Sequence, residues 1–303
     1  MSQQRYREGL VLATASYVWW GFLPLYLRLA APTGTFELIA QRVVWSLLVC
    51  LVLLTATGQW RAFTKAATKG RTVGKLAVAG SLLMVNWTTF VYAAMTSQLI
   101  DAALGYFLNP LVSVALGVGL LAERLRPLQW VAIAVSTFGV LALWLSANHF
   151  PWISLVLAVT FGLYGYIEKT AGAGIPAIAT LAVETAVLVP PALVFLAWWT
   201  WAGRQTFTGF GVGHELVMVG LGLATVLPLW LANAAFRRLP LSVMGQIQFL
   251  GPTLQFLTGL LILHEEMPMA RWVGFATVWA ALLLTGYDAW RQARQTRASL
   301  LIS

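Results

Sequence analysis

Apolar residues run along this chain in long blocks rather than at amphipathic spacing, and short polar breaks separate the blocks. A membrane-crossing helix needs about 20 mostly apolar residues. The runs near 9–28, 37–57, 74–96, 102–122, 127–147, 150–168, 177–200, 215–236, 242–263 and 270–289 meet that requirement. They predict an all-α membrane protein of ten transmembrane helices. Some breaks, such as the one from Ala147 to Phe150, are so short that neighbouring helices must form antiparallel hairpins. The first run is long enough to span and carries no cleavage pattern, so it is expected to stay as a helix.

Composition sharpens the class. Of 303 residues, 59% are hydrophobic and 10% charged, and mean hydropathy is +0.78. Soluble domains carry about a quarter charged residues, so these charges cannot cover a water-facing surface. The formal net charge of +9 does not mark nucleic-acid binding, because the basic residues fall in alternate loops. With a cytoplasmic N-terminus, fifteen Lys and Arg lie in inside segments, and only Arg28, Arg204 and Arg271 lie outside. That positive-inside bias fits an even helix count and two cytoplasmic termini. Cys50 is the single cysteine and excludes an intramolecular disulfide.

A displacement of 142 positions brings the chain into register with itself. FLNPLVSVALGVGLLAERLRPLQWVAIA from Phe107 lies over FLGPTLQFLTGLLILHEEMPMARWVGFA from Phe249, sharing Pro110/Pro252, Gly117/Gly259, Glu123/Glu265 and Trp130/Trp272. With one gap, Gly21 aligns with Gly162. Shared Pro, Glu and Trp at one offset rarely arise by chance between apolar helices. Two units are expected, 1–147 and 148–290, followed by a basic cytoplasmic tail, 291–303. Each holds five helices, an odd number, so the second must enter the membrane from the opposite face. Inverted repeats of this kind are a recurrent transporter architecture, with the substrate site near the midplane between them.

The segments SYVWWGFLPLYLR, Gln41 to Ser46, ALGYFLNPLVSVALGVGLLAERL, FGLYGYIEK and QFLGPTLQFLTG followed by HEE resemble the RarD-type permeases, which are EamA members of the drug/metabolite transporter superfamily. The resemblance covers nearly the whole chain. It implies a ten-helix permease in the bacterial inner membrane, moving a small metabolite or drug; relatives are often labelled as chloramphenicol-resistance permeases. The second half departs from the Asn-Pro pattern, reading Gly251-Pro252 where the first has Asn109-Pro110.

Pro110 and Pro252 fall near mid-bilayer in matching helices. Each removes a backbone hydrogen bond and frees a carbonyl, and paired interruptions point to a transporter site. Tyr106 and Asn109 flank one, and Gln246, Gln248 and Gln255 flank the other. Asn86 and Asn233 are further candidates, either as cavity groups or as interhelical hydrogen-bonding partners. Tyr17, Trp20 and Pro24 share one face of the first helix, and Tyr164 and Tyr166 occupy the matching sixth segment. The alternative for such aromatics is interfacial anchoring.

Arg42 and Glu184 are intramembrane ionisable residues and repeat mates. Side chains lean toward their own helix N-terminus, which turns these two apart. Arg42 therefore needs another anion, Glu37 or Asp101, and serves either as a clamp or as an outer-gate contact to a substrate carboxylate. Glu184 is either a structural acid or a proton-coupling carboxylate. Glu123 and Glu265 end matching helices and are expected to hold loops through backbone amides. The three His are scattered, and no phosphate loop or zinc motif is present, which argues against an enzyme. Neither catalytic residues, a metal nor a cofactor is expected. A small-molecule substrate and membrane lipid are the expected partners, with no nucleic acid; dimerisation is left open. A channel-like facilitative permease is the alternative to alternating access.

Overall fold

The computed structural model describes residues 3–95, 99–125, 127–145, 150, 152–171 and 173–262, together with a few isolated positions between 272 and 283. Among these residues the chain is all helix, with no strand. In order run α1 (Gln3–Arg28), α2 (Thr35–Ala56), α3 (Trp60–Thr68), α4 (Gly70–Met95), α5 (Leu99–Leu121), α6 (Pro127–Leu145), α7 (Trp152–Ala171), α8 (Ala177–Trp201), α9 (Val212–Phe236), α10 (Leu241–Ile247) and α11 (Leu250–Leu261). Five of them, α1, α2, α4, α8 and α9, are long and apolar enough to cross a bilayer.

The surface and interior are reversed relative to a water-soluble bundle. Large apolar side chains point outward, with Trp201 86% and Val194 71% exposed, whereas Glu37, Arg42, Asn86, Asn109, Glu168, Glu184, Asn233 and Gln248 are buried. Polar side chains in a bilayer must find partners inside the protein. This is a multi-pass membrane protein.

The first nine apolar runs coincide with helices, with two differences. The basic stretch after α2, expected as a loop, forms the short α3, which lays Ala66 against Leu76 and Val183. The ninth run is interrupted: α10 ends at Ile247 and α11 begins at Leu250. Pro252 has no N–H to donate to the carbonyl four residues earlier, that of Gln248, so the ladder fails at this point. Gln248 and Phe249 nevertheless keep right-handed helical dihedrals, so the chain is interrupted without being turned. By contrast α5 continues through Pro110. The tenth run lies almost wholly outside the described residues.

Among the described residues, packing runs mainly between the two halves of the sequence. Helix α1 lies against α9 and α11, α7 against α4 and α5, α2 against α8 and α9, and α5 against α10.

Candidate functional site

Where α1, α2, α4, α5, α7 and the α10–α11 break converge, they form a partly open cavity. Helical spacing explains which residues face it. Tyr17, Trp20 and Pro24 come from one face of α1, Asn86, Trp87 and Phe90 from α4, and Tyr106 and Asn109 from α5. Gln248, Gly251, Pro252 and Gln255 form a continuous stripe at i, i+3, i+4 and i+7 across the break. Arg42 reaches in from α2 and Phe161 from α7.

One part of the wall is aromatic. Tyr17 meets Trp20 at 5.1 Å between ring centroids, Trp20 meets Phe161 at 5.5 Å, and Phe90 meets Tyr106 at 5.5 Å. The first two pairs are edge-to-face, an arrangement held by ring quadrupoles as well as by buried area. The Arg42 guanidinium sits 4.3 Å over the Trp87 ring, and its Nε donates to Thr225 Oγ1. A cation on an aromatic face is attracted more strongly when desolvated, and Arg42 is 3% exposed.

The rest of the wall is amide. Asn86 Nδ2 donates to the Leu157 carbonyl and to Thr160 Oγ1, both at 2.9 Å, so it ties α4 to α7 while it lines the cavity. Gln255 Nε2 likewise donates to the Trp20 carbonyl at 3.0 Å. Gln248 accepts from Ser113 Oγ at 3.2 Å through Oε1 and lies beside the Tyr17 hydroxyl, but neither its Nε2 nor Asn109 Oδ1 makes a hydrogen bond of good geometry to the protein. Both residues are at least 95% buried. An unpartnered buried donor and acceptor are costly, and in a cavity they are the groups available to a ligand.

The expected residues therefore divide. Tyr17, Trp20, Arg42, Asn86, Tyr106, Asn109, Gln248, Pro252 and Gln255 meet at one cavity. Tyr164, Asn233 and Glu184 form a separate buried cluster, with Tyr164 Oη donating to Asn233 Oδ1 at 2.8 Å. Gln246 lies on α10 outside the cavity. Pro110 is within α5; its side chain, like those of Asp101 and Glu265, is outside the described residues. Glu37 does not serve Arg42: its carboxylate accepts from the Thr206 and Phe207 N–H groups, Thr206 Oγ1 and Trp199 Nε1. Five positions along a helix turn a side chain by about 140°, which puts Glu37 and Arg42 on different faces.

Trp87, Phe90 and Phe161 were not singled out from sequence. Two were readable as helical neighbours of Asn86, and Phe161 as the residue 141 positions after Trp20. Glu123 does hold a loop as expected: it accepts from the N–H groups of Leu241 and Ser242 at 2.8 and 2.9 Å and from Ser242 Oγ.

The model of the EamA-like transporter family matches residues 7–145. Along 99% of this chain and 94% of its own length, the protein RarD of Streptomyces exfoliatus is 42% identical. The chain belongs to the EamA family, as a RarD-type permease. An uncharacterized transporter of Pseudomonas aeruginosa is 40% identical over 97% of this chain and 98% of its own. The fold is shared with a crystal structure at 17% identity and a TM-score of 0.69, covering 94% of this chain and 98% of that one. RarD-type EamA permeases are transporters, not enzymes, and the cavity is to be read in that light.

Proposed function

We propose that this EamA permease is a secondary transporter of ten transmembrane helices in the bacterial inner membrane. In this reading it carries a small organic molecule by alternating access, with both termini cytoplasmic. The observation that carries the reading is the cavity at the seam between the two sequence halves, lined by repeat mates. Tyr106 and Gln248, and Asn109 and Gly251, are each separated by 142 positions, and all four line it.

The packing supports the same symmetry. Exchange of the halves turns α1 on α9 and α11 into α7 on α4 and α5, and both sets of contacts are present. It holds at single residues too. A Cβ on Gly21 would lie 2.5 Å from Leu254 Cβ, and one on Gly162 would lie 2.5 Å from Val112 Cγ1. Gly21 and Gly162 are aligned mates, and so are Val112 and Leu254. Each glycine lets an equivalent pair of helices approach.

The wall selects the solute class. Aromatic faces, a guanidinium, and unpartnered amide atoms fit a flat amphipathic molecule with its own donors and acceptors. Purified protein should gain thermal stability with amphenicol drugs, aromatic metabolites or amino acids, since a ligand of the folded state raises its apparent stability.

The inverted arrangement is tested by labelling. Cys50 is buried, so an impermeant thiol reagent should report on introduced cysteines alone. Gly70→Cys should react from the cytoplasmic face and Arg204→Cys from the outer face. Reaction of both from one side would end the inverted-repeat reading.

A further inference from the structure

A second set of ionisable groups lies outside the cavity, between α7, α8 and the end of α9. Tyr164 and Glu168 are four apart on α7, and Thr180 and Glu184 are four apart on α8, so each pair shares a helix face. The two faces meet. Thr180 Oγ1 lies 3.3 Å from Glu168 Oε2, and Tyr164 Oη lies 3.4 Å from Glu184 Oε2. Both carboxyl groups are within the protein, Glu168 at 0% and Glu184 at 1% exposure.

Counting hydrogens shows what is missing. Arg237 Nη2 donates to Glu168 Oε2 at 2.7 Å and to Thr180 Oγ1 at 2.6 Å, and Nη1 donates to the Ile175 carbonyl. The Tyr164 hydroxyl has one hydrogen and two acceptors, Asn233 Oδ1 at 2.8 Å and Glu184 Oε2 at 3.4 Å. The closer one takes it, which leaves Glu184 without a good donor. Its carboxyl lies beside that of Glu168, and Oε1 of each acid has no partner. Two carboxylates placed against one another cannot bond to each other unless one brings a hydrogen.

The charges lead to the same result. Arg237 is the cation that the described residues set against the two acids. Lys169 is turned away, donating to the Leu239 carbonyl at 2.6 Å and lying 3.8 Å from Glu123. From α2 the neighbouring titratable group is the Cys50 thiol, and from α4 the contact is Gly80 against the Glu184 carbonyl. Neither adds positive charge. Leaving a second ionised carboxylate unpaired in this setting is strongly unfavourable, whereas one proton makes the trio of Glu168, Glu184 and Arg237 neutral.

We infer that Glu168 and Glu184 share a single proton, forming a proton-binding site separate from the cavity. The proton bridges the two carboxyl groups while α7, α8 and α9 are packed together. Parting of these helices admits water, breaks the bridge and passes the proton to solvent; repacking takes one up. As the coupling step of transport this rests on the function proposed above, but the site itself can be tested without any substrate.

The test is infrared titration of the full chain in lipid vesicles, in potassium buffer. The wild type should show the carbonyl band of one protonated carboxyl per chain, shifted in D₂O and lost as pH rises. Glu168→Gln and Glu184→Gln should each remove it, since the new amide donates an N–H to the remaining carboxylate and keeps the contact. A band retained in both variants would overturn the pair. So would its absence from the wild type, a result that does not depend on how the variants fold. Ligand-induced stabilisation reads the cavity separately, so failure of one proposal leaves the other standing.

Discussion

Leucine at Gln248 or Asn109 weakens ligand binding and transport by about tenfold or more, with little loss of stability. The reasoning starts from the unpartnered atoms. Gln248 Nε2 and Asn109 Oδ1 line the cavity without a hydrogen bond of good geometry to the protein, and each such buried group costs about 1–3 kcal/mol. Leucine is similar in volume and removes that cost, so folding does not suffer. Binding does, because the solute would lose a hydrogen bond and have its own polar group left unpaired. One such loss is worth at least about tenfold in affinity, and the double variant about a hundredfold. Gln248→Leu also deprives Ser113 Oγ of its acceptor, which should make it the less stable of the two. The measurement is thermal shift with the best ligand found by screening, paired with uptake into vesicles. Wild-type ligand response in both variants would remove these amides from the site. Weakened function with stability retained is the expected sign of a polar site maintained at a folding cost.

Helix positions were legible because the bilayer sets a length that hydropathy reads directly. The faces of those helices were less so. In a helix that is apolar all round, periodicity gives no direction to the interior. Asn233 and Gln248 thus looked equivalent from sequence, although the first turns to Tyr164 and the second to the cavity. Glu37 looked available to Arg42 because both lie in the outer part of α2; its actual partners are two backbone amides some 170 positions away, which no local pattern encodes. Glu168 was hidden beside Lys169, where it reads as a solvated charge at a helix end, and only tertiary packing buries it. The repeat was more informative than any single motif. Applied with the one gap that aligns Gly21 with Gly162, it would have found Phe161 from Trp20.

The largest stability loss is expected from Glu123→Ala. Ala122 adopts φ 52°, and the Glu123 N–H returns to the Gly117 carbonyl at 3.0 Å. This left-handed turn at the end of α5 aims the Glu123 side chain across to α10. There it accepts the Leu241 and Ser242 N–H groups, two of the donors that a helix N-terminus leaves without an internal partner. A carboxylate also suits the positive end of the helix. Both amides belong to buried residues, so alanine would leave them unpaired at about 1–3 kcal/mol each, lowering the thermal midpoint by several degrees. Glutamine keeps one acceptor oxygen and should lose roughly half as much. Gly117→Ala should act in the same direction, since its Cβ would lie 2.8 Å from Glu123 Oε2 and push the carboxylate off the amides. Ala122→Gly should act in the opposite one, by relieving the left-handed conformation, worth about 1 kcal/mol. A Glu123→Ala variant melting with the wild type would mean that water replaces the carboxylate at the start of α10. The clamp joining the two halves there would then contribute geometry without stability.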